Sequence, residues 1–270
     1  MRGAMRRARP GSPASRCGAR GPRCAGRYYH GRFFSRARPV TIRAITLDLD
    51  DTLWPIWPTI ARAEEKLHEW LAERAPHTAA RFPVPALRAL RESIQDARPD
   101  IAHDYSAQRR ITLERALEAS GEEVALAEPA MALFTRYRNT VDFYPGVPEA
   151  LARLAARFPV AALTNGTADL NCIGIGEHFV FQIGAREHGS AKPDASIFLS
   201  ACRRLGLAPA QVLHVGDDPQ LDVLGAHRAG MRSAWINRGD ARWPEAGVRP
   251  DFIFRDLVEL ADRLEREFPC

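Results

Sequence analysis

Cysteine is sparse in this 270-residue chain: Cys17, Cys24, Cys172, Cys202 and Cys270 are odd in number and form no CxxC pair. That excludes a disulfide framework or a zinc ribbon and fits reduced thiols in a cytoplasmic protein. No run approaches the ~18 apolar residues of a membrane helix, so neither a span nor a membrane partner is expected. Residues 1–40 lack the apolar core of a secretory signal, and no internal repeat stands out. Acidic residues are missing from the first 43 positions, which hold twelve arginines. Positions 44–270 carry 26 basic and 33 acidic side chains. A +12 tail therefore precedes a −7 body, and the sequence pI of 9.2 describes the tail alone.

Arg, Gly, Pro and Ser dominate residues 1–40, which have no apolar periodicity and read as a disordered tail. Three readings stay open for it: an extension from a misassigned start, an Arg-rich transit peptide, or an RNA- or anion-binding arm. Nucleic acid is expected as a partner only through this tail.

After the tail comes an apolar strand, IRAITLDLD. From 58 to 140 the period turns helical: Ile60, Ala63, Leu67, Trp70 and Leu71 form one stripe, and Val84, Leu87, Leu90 and Ile94 a second. Ile111, Leu113, Ala116 and Leu117 mark a third helix, and Met131, Phe134 and Tyr137 a fourth. From 141 onward short strands (PVAALT, FVFQIG, QVLHV, RSAWIN, DFIF) alternate with helices over 147–157, 193–205, 219–229 and 257–267. That alternation predicts an α/β fold, a doubly wound, Rossmann-like parallel sheet. The core is expected over 41–57 and 141–270, with 58–140 inserted as an all-helical cap.

In such sheets ligands bind beyond the carboxyl ends of the strands. The first strand runs into DLDDTLW at 48–54, three carboxylates in four positions. Two unit charges about 4 Å apart repel by roughly 4 kcal/mol at an effective dielectric near 20, so a cation is expected among them. The next loops supply Thr164-Asn165-Gly166, then Lys192, then Gly216-Asp217-Asp218 with Asp222 beyond. Singly, each piece has a plain reading: Asn-Gly is turn chemistry, and Asp222 suits a helix N-terminus. Together, on four successive strand–helix loops, they point to one site that holds a divalent cation and acts on a phosphoryl group.

DLDDT, TNG, Lys192-Pro193 and GDDPQLD resemble the four motifs of the haloacid-dehalogenase superfamily, and the helical insertion resembles the cap of its first subclass. The resemblance spans residues 41–270. It implies that Asp48 is a nucleophile forming an aspartyl-phosphate and that Asp50 is the general acid, then base. Thr164 and the backbone around Asn165 and Gly166 would hold phosphoryl oxygens, with Lys192 neutralising the charge that develops there. Magnesium would sit on Asp48, the Asp50 backbone carbonyl and Asp217, with Asp218 and Asp222 orienting Lys192 or metal-bound water. The dehalogenases that name the superfamily lack an acid at the position of Asp50, so a phosphomonoesterase is expected.

Substrate choice would then fall to the cap. Trp54 and Trp57 either stack on a planar ring or pack cap against core. His103, Asp104, Arg109 and Arg110 either line the pocket or form a solvated face. PDIAHDYSAQRR, TNGTADL and LHVGDDPQLDVLGAHRAGM resemble a bacterial branch acting on flavin mononucleotide and 5-amino-6-(5-phospho-D-ribitylamino)uracil. The partner is thus expected to be a small phosphorylated metabolite of riboflavin biosynthesis. Sugar-phosphate or phosphoglycolate hydrolysis is the enzyme alternative, and a polyanion-binding protein using the tail is the non-catalytic one. The sequence leaves monomer or dimer open.

Overall fold

The computed structural model describes residues 41–244 and 247–267. The tail readings, with Cys17, Cys24 and Cys270, lie outside the described residues; of the rest, Cys172 and Cys202 are free thiols.

Strand β1 (Ala44–Leu47) is wholly buried and runs at the centre of a six-stranded parallel sheet. The helical segment follows as α1 (Ile56–Arg74), α2 (Pro76–Arg81), α3 (Val84–Ala97), α4 (Tyr105–Ala119) and α5 (Ala127–Arg138). The chain then alternates: α6 (Val147–Ala155), β2 (Val160–Thr164), α7 (Leu170–Ile173), β3 (Phe181–Gly184), α8 (Ala185–His188), α9 (Ala195–Leu205) and β4 (Val212–Gly216). A π-helical turn (Pro219–Leu224), α10 (Gly225–Arg228), β5 (Arg232–Ile236), β6 (Phe252–Phe254) and α11 (Leu257–Glu267) complete it. The order is β3-β2-β1-β4-β5-β6, so the connections leave β1 in both directions, the doubly wound topology expected from the strand–helix alternation.

Burial on both faces explains why β1, β2 and β4 read as mostly apolar runs with no regular polar alternation. Ile45 and Leu47 pack with Leu151, Leu154, Leu257 and Leu260 of α6 and α11 on one face. Ala44 packs with Ile197, Phe198 and Ala201 of α9 on the other. Side chains alternate along a strand, so Ala44, Thr46 and Asp48 share the α9 face. Thr46 stands in register with His214 of β4, and their side chains bond at 2.9 Å. A polar thread thus runs through an apolar face toward the end of the sheet where the carboxylates cluster.

The helical segment has its own core, Ala63, Leu67 and Leu71 of α1 against Leu113 and Leu117 of α4 and Ala130 and Phe134 of α5. Helices differ from expectation at their ends, each for a local reason. There are five in 58–140 rather than four, because Pro76 opens the short α2. α1 begins at Ile56, with Pro58 in its first turn, where amide hydrogens lack intrahelical partners anyway. α9 starts at Ala195 with Asp194 as its cap, so Pro193 precedes the helix. The helix expected over 219–229 opens as the π-helical turn that carries Asp222, an irregularity often found at functional sites.

Candidate active site

Lys192 is 4% exposed and lies between two carboxylates. Its Nζ is 2.5 Å from Asp48 Oδ1 and 2.6 Å from Asp222 Oδ1. Burial alone would lower its pKa, but Asp222 and Asp48 hold it above the ordinary lysine value, so it is an ammonium. The chain has two lysines against 36 arginines, and the one here is a compact charge that fits between two buried carboxylates.

The remaining charge is unbalanced. Thr52 Oγ1 lies 3.0 Å from both Asp48 Oδ2 and Asp217 Oδ1, yet one hydroxyl hydrogen serves only one of them at a time. Burial pushes Asp48 well above the usual carboxylate range despite Lys192. Burial, with Asp222 adding repulsion, pushes Asp217 up to about 7. Ligand oxygens of Asp48, Asp217 and Asp222 fall within 4.8 Å of one another. Asp222 is already committed: Oδ1 meets Lys192 and His214 Nε2 (3.1 Å), and Oδ2 accepts from the Asp218 amide. Asp48 and Asp217 are the carboxylates short of positive charge. An all-oxygen, undercompensated pair fits a hard divalent cation such as magnesium.

Burial alone would raise Asp222, but Lys192 and then His214 hold it below the ordinary range. His214 sits on the polar thread, its pKa lowered by burial, its Nδ1 at Thr46 and its ring edge-on to Phe198 at 4.9 Å. With the Thr46 hydroxyl donating to Nδ1, Nε2–H is left to donate to Asp222.

Asp50 occupies a separate niche. Its carboxylate accepts from Arg138 Nη2 at 2.7 Å on both oxygens and from Trp54 Nε1 at 2.9 Å. Gly166 makes room for it: a Cβ there would stand 2.2 Å from Asp50 Oδ2 and 3.2 Å from Thr164 Oγ1. Gly216 does the same for Asp222, whose Cγ would lie 2.2 Å from an added Cβ. Both glycines therefore serve close approach. The third carboxylate of DLDDT has a turn-building role. Asp51 adopts φ 57°, a left-handed conformation that Asp tolerates, and its Oδ1 accepts from the Ile56 amide at the start of α1.

Several expected site residues are placed differently. Trp54 is fully buried and edge-on to Phe143 at 5.7 Å, the packing alternative of the two readings. The Asn165 side chain, as distinct from the backbone expected to hold phosphate, is engaged with Lys192: Oδ1 accepts the Lys192 amide at 2.8 Å and Nδ2 donates to the Lys192 carbonyl at 3.0 Å. The pair ties the β2 loop to the lysine. The Gly166 amide is likewise taken, by Thr164 Oγ1 at 2.9 Å, which leaves the buried Thr164 hydroxyl hydrogen as donor. Asp218 caps the π-helical turn through the Gln220 and Leu221 amides rather than facing Lys192. Arg109 turns into the helical segment, over the Phe134 ring at 3.6 Å and 3.6 Å from Glu64 Oε1, beside a small cavity between α1, α3 and α4. Burial, then Arg91, pulls it down to about 9. Arg110 pairs with Glu114 on the surface.

Trp57 is 66% exposed, and His103 is half-buried in the turn before α4. Asp104 caps α4 and lies 3.8 Å from Arg186 of α8, which brings that turn against the sheet-bearing part of the chain. Three contributors went unread in sequence: His214, Arg138 and Arg238, the last donating to the Asp51 and Thr52 carbonyls (2.7 and 2.6 Å). His214 left a trace as the polar residue in VLHVG. Arg138 and Arg238 left none, because nothing local separates them from other arginines.

The sequence pattern of the haloacid dehalogenase-like hydrolases matches residues 42–230. The chain is 35% identical over 199 residues to the 5-amino-6-(5-phospho-D-ribitylamino)uracil phosphatase YigB of Escherichia coli, covering 72% of this chain and 83% of that one. It is 33% identical over 259 residues to a phosphoserine phosphatase of Thermus thermophilus, covering 81% and 98%. Among solved structures, a 2-haloacid dehalogenase from Pseudomonas syringae superposes with a TM-score of 0.79 at 37% identity, covering 84% of this chain and all of that one.

Proposed function

The chain belongs to the haloacid dehalogenase-like hydrolases, and on that premise we propose that it is a magnesium-dependent phosphomonoesterase of small metabolites acting through Asp48. One observation carries the reading. Lys192 is clamped between Asp48 and Asp222 while a second acid, Asp50, is separately held beside Thr164 and Gly166. That is a nucleophile with charge support and a distinct proton-transfer group.

In the first half-reaction an Asp48 carboxylate oxygen attacks phosphorus and the P–O bond to the leaving alcohol breaks. Asp50 hands its proton to that oxygen. In the second, Asp50 takes a proton from water as the water oxygen attacks the same phosphorus, returning Asp48 and releasing phosphate. Lys192 balances charge that builds on the phosphoryl oxygens, and the Thr164 hydroxyl donates to one of them. Magnesium, when bound, would be held by Asp48, the Asp50 carbonyl and Asp217 and would neutralise charge on the phosphoryl group. Carbon–halogen cleavage has no alkoxide to protonate, so a filled and restrained Asp50 favours phosphate esters over the chemistry named for the Pseudomonas relative.

For substrate we favour flavin mononucleotide or 5-amino-6-(5-phospho-D-ribitylamino)uracil, as the Escherichia coli relative is named for the latter. Residues 58–140 act as a cap over the site, and Trp57 offers the exposed aromatic surface that a planar ring stacks on. The test is phosphate release from these two compounds, phosphoserine, phosphoglycolate and sugar phosphates, with Asp48→Asn and a chelator as controls. Metal-dependent release that prefers the flavin-pathway compounds and vanishes in Asp48→Asn supports the reading. A preference for phosphoserine or sugar phosphates removes the substrate assignment, and release that persists in Asp48→Asn removes the mechanism.

A further inference from the structure

Local chain geometry does little to aim the Asp50 side chain. Asp50 lies beyond the end of β1 and precedes a left-handed residue, so neither strand nor helix dictates its rotamer. Of the groups that hold it, Trp54 is four residues on and the other comes from elsewhere in the chain. Arg138, 88 positions along the chain and the last residue of α5, has a side chain only 2% exposed. Among the described residues its buried Nη1 has no partner, and the hydrogen bonds its guanidinium makes there go to Asp50.

The hydrogen bonds divide unequally between the two carboxylate oxygens. Oδ1 receives both Trp54 Nε1 and Arg138 Nη2, and Oδ2 receives Arg138 Nη2 only. Each carboxylate oxygen offers two lone pairs, so Oδ1 is filled and Oδ2 keeps one free. Oδ2 is also the oxygen over Gly166, on the side of the Thr164 hydroxyl. We propose that Arg138 is a positioning residue that, with Trp54, holds Asp50 so that Oδ2 is the oxygen exchanging protons with the leaving group and then with water.

The inference rests on Asp50 being the proton-transfer group of the mechanism above. Oδ2–H passes its proton to the alkoxide as the P–O bond breaks, and Oδ2 recovers a proton from the attacking water. Because Arg138 ends α5, the aim of Asp50 depends on how that helix is seated. Neighbouring contacts fix the seat: Arg62 donates to the Thr140 carbonyl and pairs with Asp142 at 2.9 Å, and Asn139 Oδ1 accepts the Asp169 amide at 2.8 Å.

The test uses leaving groups at saturating magnesium. A nitrophenolate departs without a proton, whereas an alkoxide needs one. General acid catalysis contributes typically 10²–10⁴-fold, so Arg138→Met should lose about 100-fold in kcat/KM, which reads only the steps through departure of the alcohol, on an alkyl ester such as flavin mononucleotide. On p-nitrophenyl phosphate kcat/KM should lose only a few-fold, while kcat falls on both substrates through the shared attack of water, which Oδ2 also serves. Arg138→Lys, which retains a donor, should recover part of the alkyl-ester rate, and Trp54→Phe should show the same selectivity in weaker form. A purely structural arginine would depress kcat/KM on both substrates alike, and that result, or an unchanged kcat/KM on the alkyl ester, overturns the inference. If Arg138→Met fails to fold, the ratio of the two rates in Arg138→Lys decides on the same criterion. Asp48→Asn separates the two layers of argument: turnover surviving in it rejects the mechanism, while turnover lost in it with unselective Arg138 variants rejects only the role of Arg138.

Discussion

Replacing Lys192 by Met probes the charge balance of the site directly. The side chains are similar in length, so the change removes the charge and its hydrogen bonds while leaving the space filled. Asp48 and Asp222 would then lie buried without their shared ammonium. Deleting one partner of a buried ion pair costs about 3–5 kcal/mol, because the charge left behind is uncompensated. For a body of this size, roughly 2–4 °C of midpoint goes with each kcal/mol, so thermal unfolding should fall by about 6–20 °C. The sign of the pH dependence follows from the stranded acids. A carboxyl whose folded pKa lies above its unfolded value loses folded stability as pH rises, because the unfolded chain ionises more readily. The deficit of Lys192→Met should therefore be largest near pH 8 and shrink toward pH 5, where Asp48 and Asp217, already shifted upward by burial, take up protons. Circular dichroism melts of both proteins in chelator at three pH values make the measurement. A deficit under about 1 kcal/mol, or one that does not vary with pH, refutes the assignment of Lys192 as the charge that balances the cluster.

Other consequences are as specific. Asp217 must be deprotonated to bind a cation and ionises only near 7, so magnesium affinity measured calorimetrically should weaken steadily from pH 8 to pH 6; an affinity flat over that range would show that Asp217 is no ligand. His214→Leu strands the Thr46 hydroxyl and withdraws a donor from Asp222, which should lower stability by about 1–3 kcal/mol in urea titrations. The two loop tryptophans should behave oppositely: Trp54→Ala opens a cavity and destabilises by about 3–5 kcal/mol, whereas Trp57→Ala stays within ~0.5 kcal/mol. Trp57→Ala should also raise KM for flavin mononucleotide more than for a small aliphatic phosphate, and an equal fold-change on both would remove Trp57 from substrate recognition.

What the chain announced by itself was whatever depends on short-range pattern. Runs such as AITL and VAALT are apolar on both faces because parallel strands are covered on both sides, so their order along the chain already implied the doubly wound sheet. Asp48, Thr164, Lys192 and Asp217 follow strands or precede helices, and that topology gathers such positions at one rim. Tertiary structure alone decided the partners. Asp48, Asp50 and Asp51 are the same residue type within four positions, yet one meets Lys192, one meets Arg138 and one accepts the first amide of α1. Trp54 and Trp57 are near neighbours in sequence, and one is sealed in the core while the other faces solvent. Arg138 and Arg109 are two of many arginines in the chain, and only packing turns the first onto an acid of the site and the second into the helical segment. The reason is physical. Periodicity reports which face of an element is buried, whereas the effect of a charged side chain depends on charges and donors delivered from elsewhere in the chain, 144 positions away for Lys192 and Asp48.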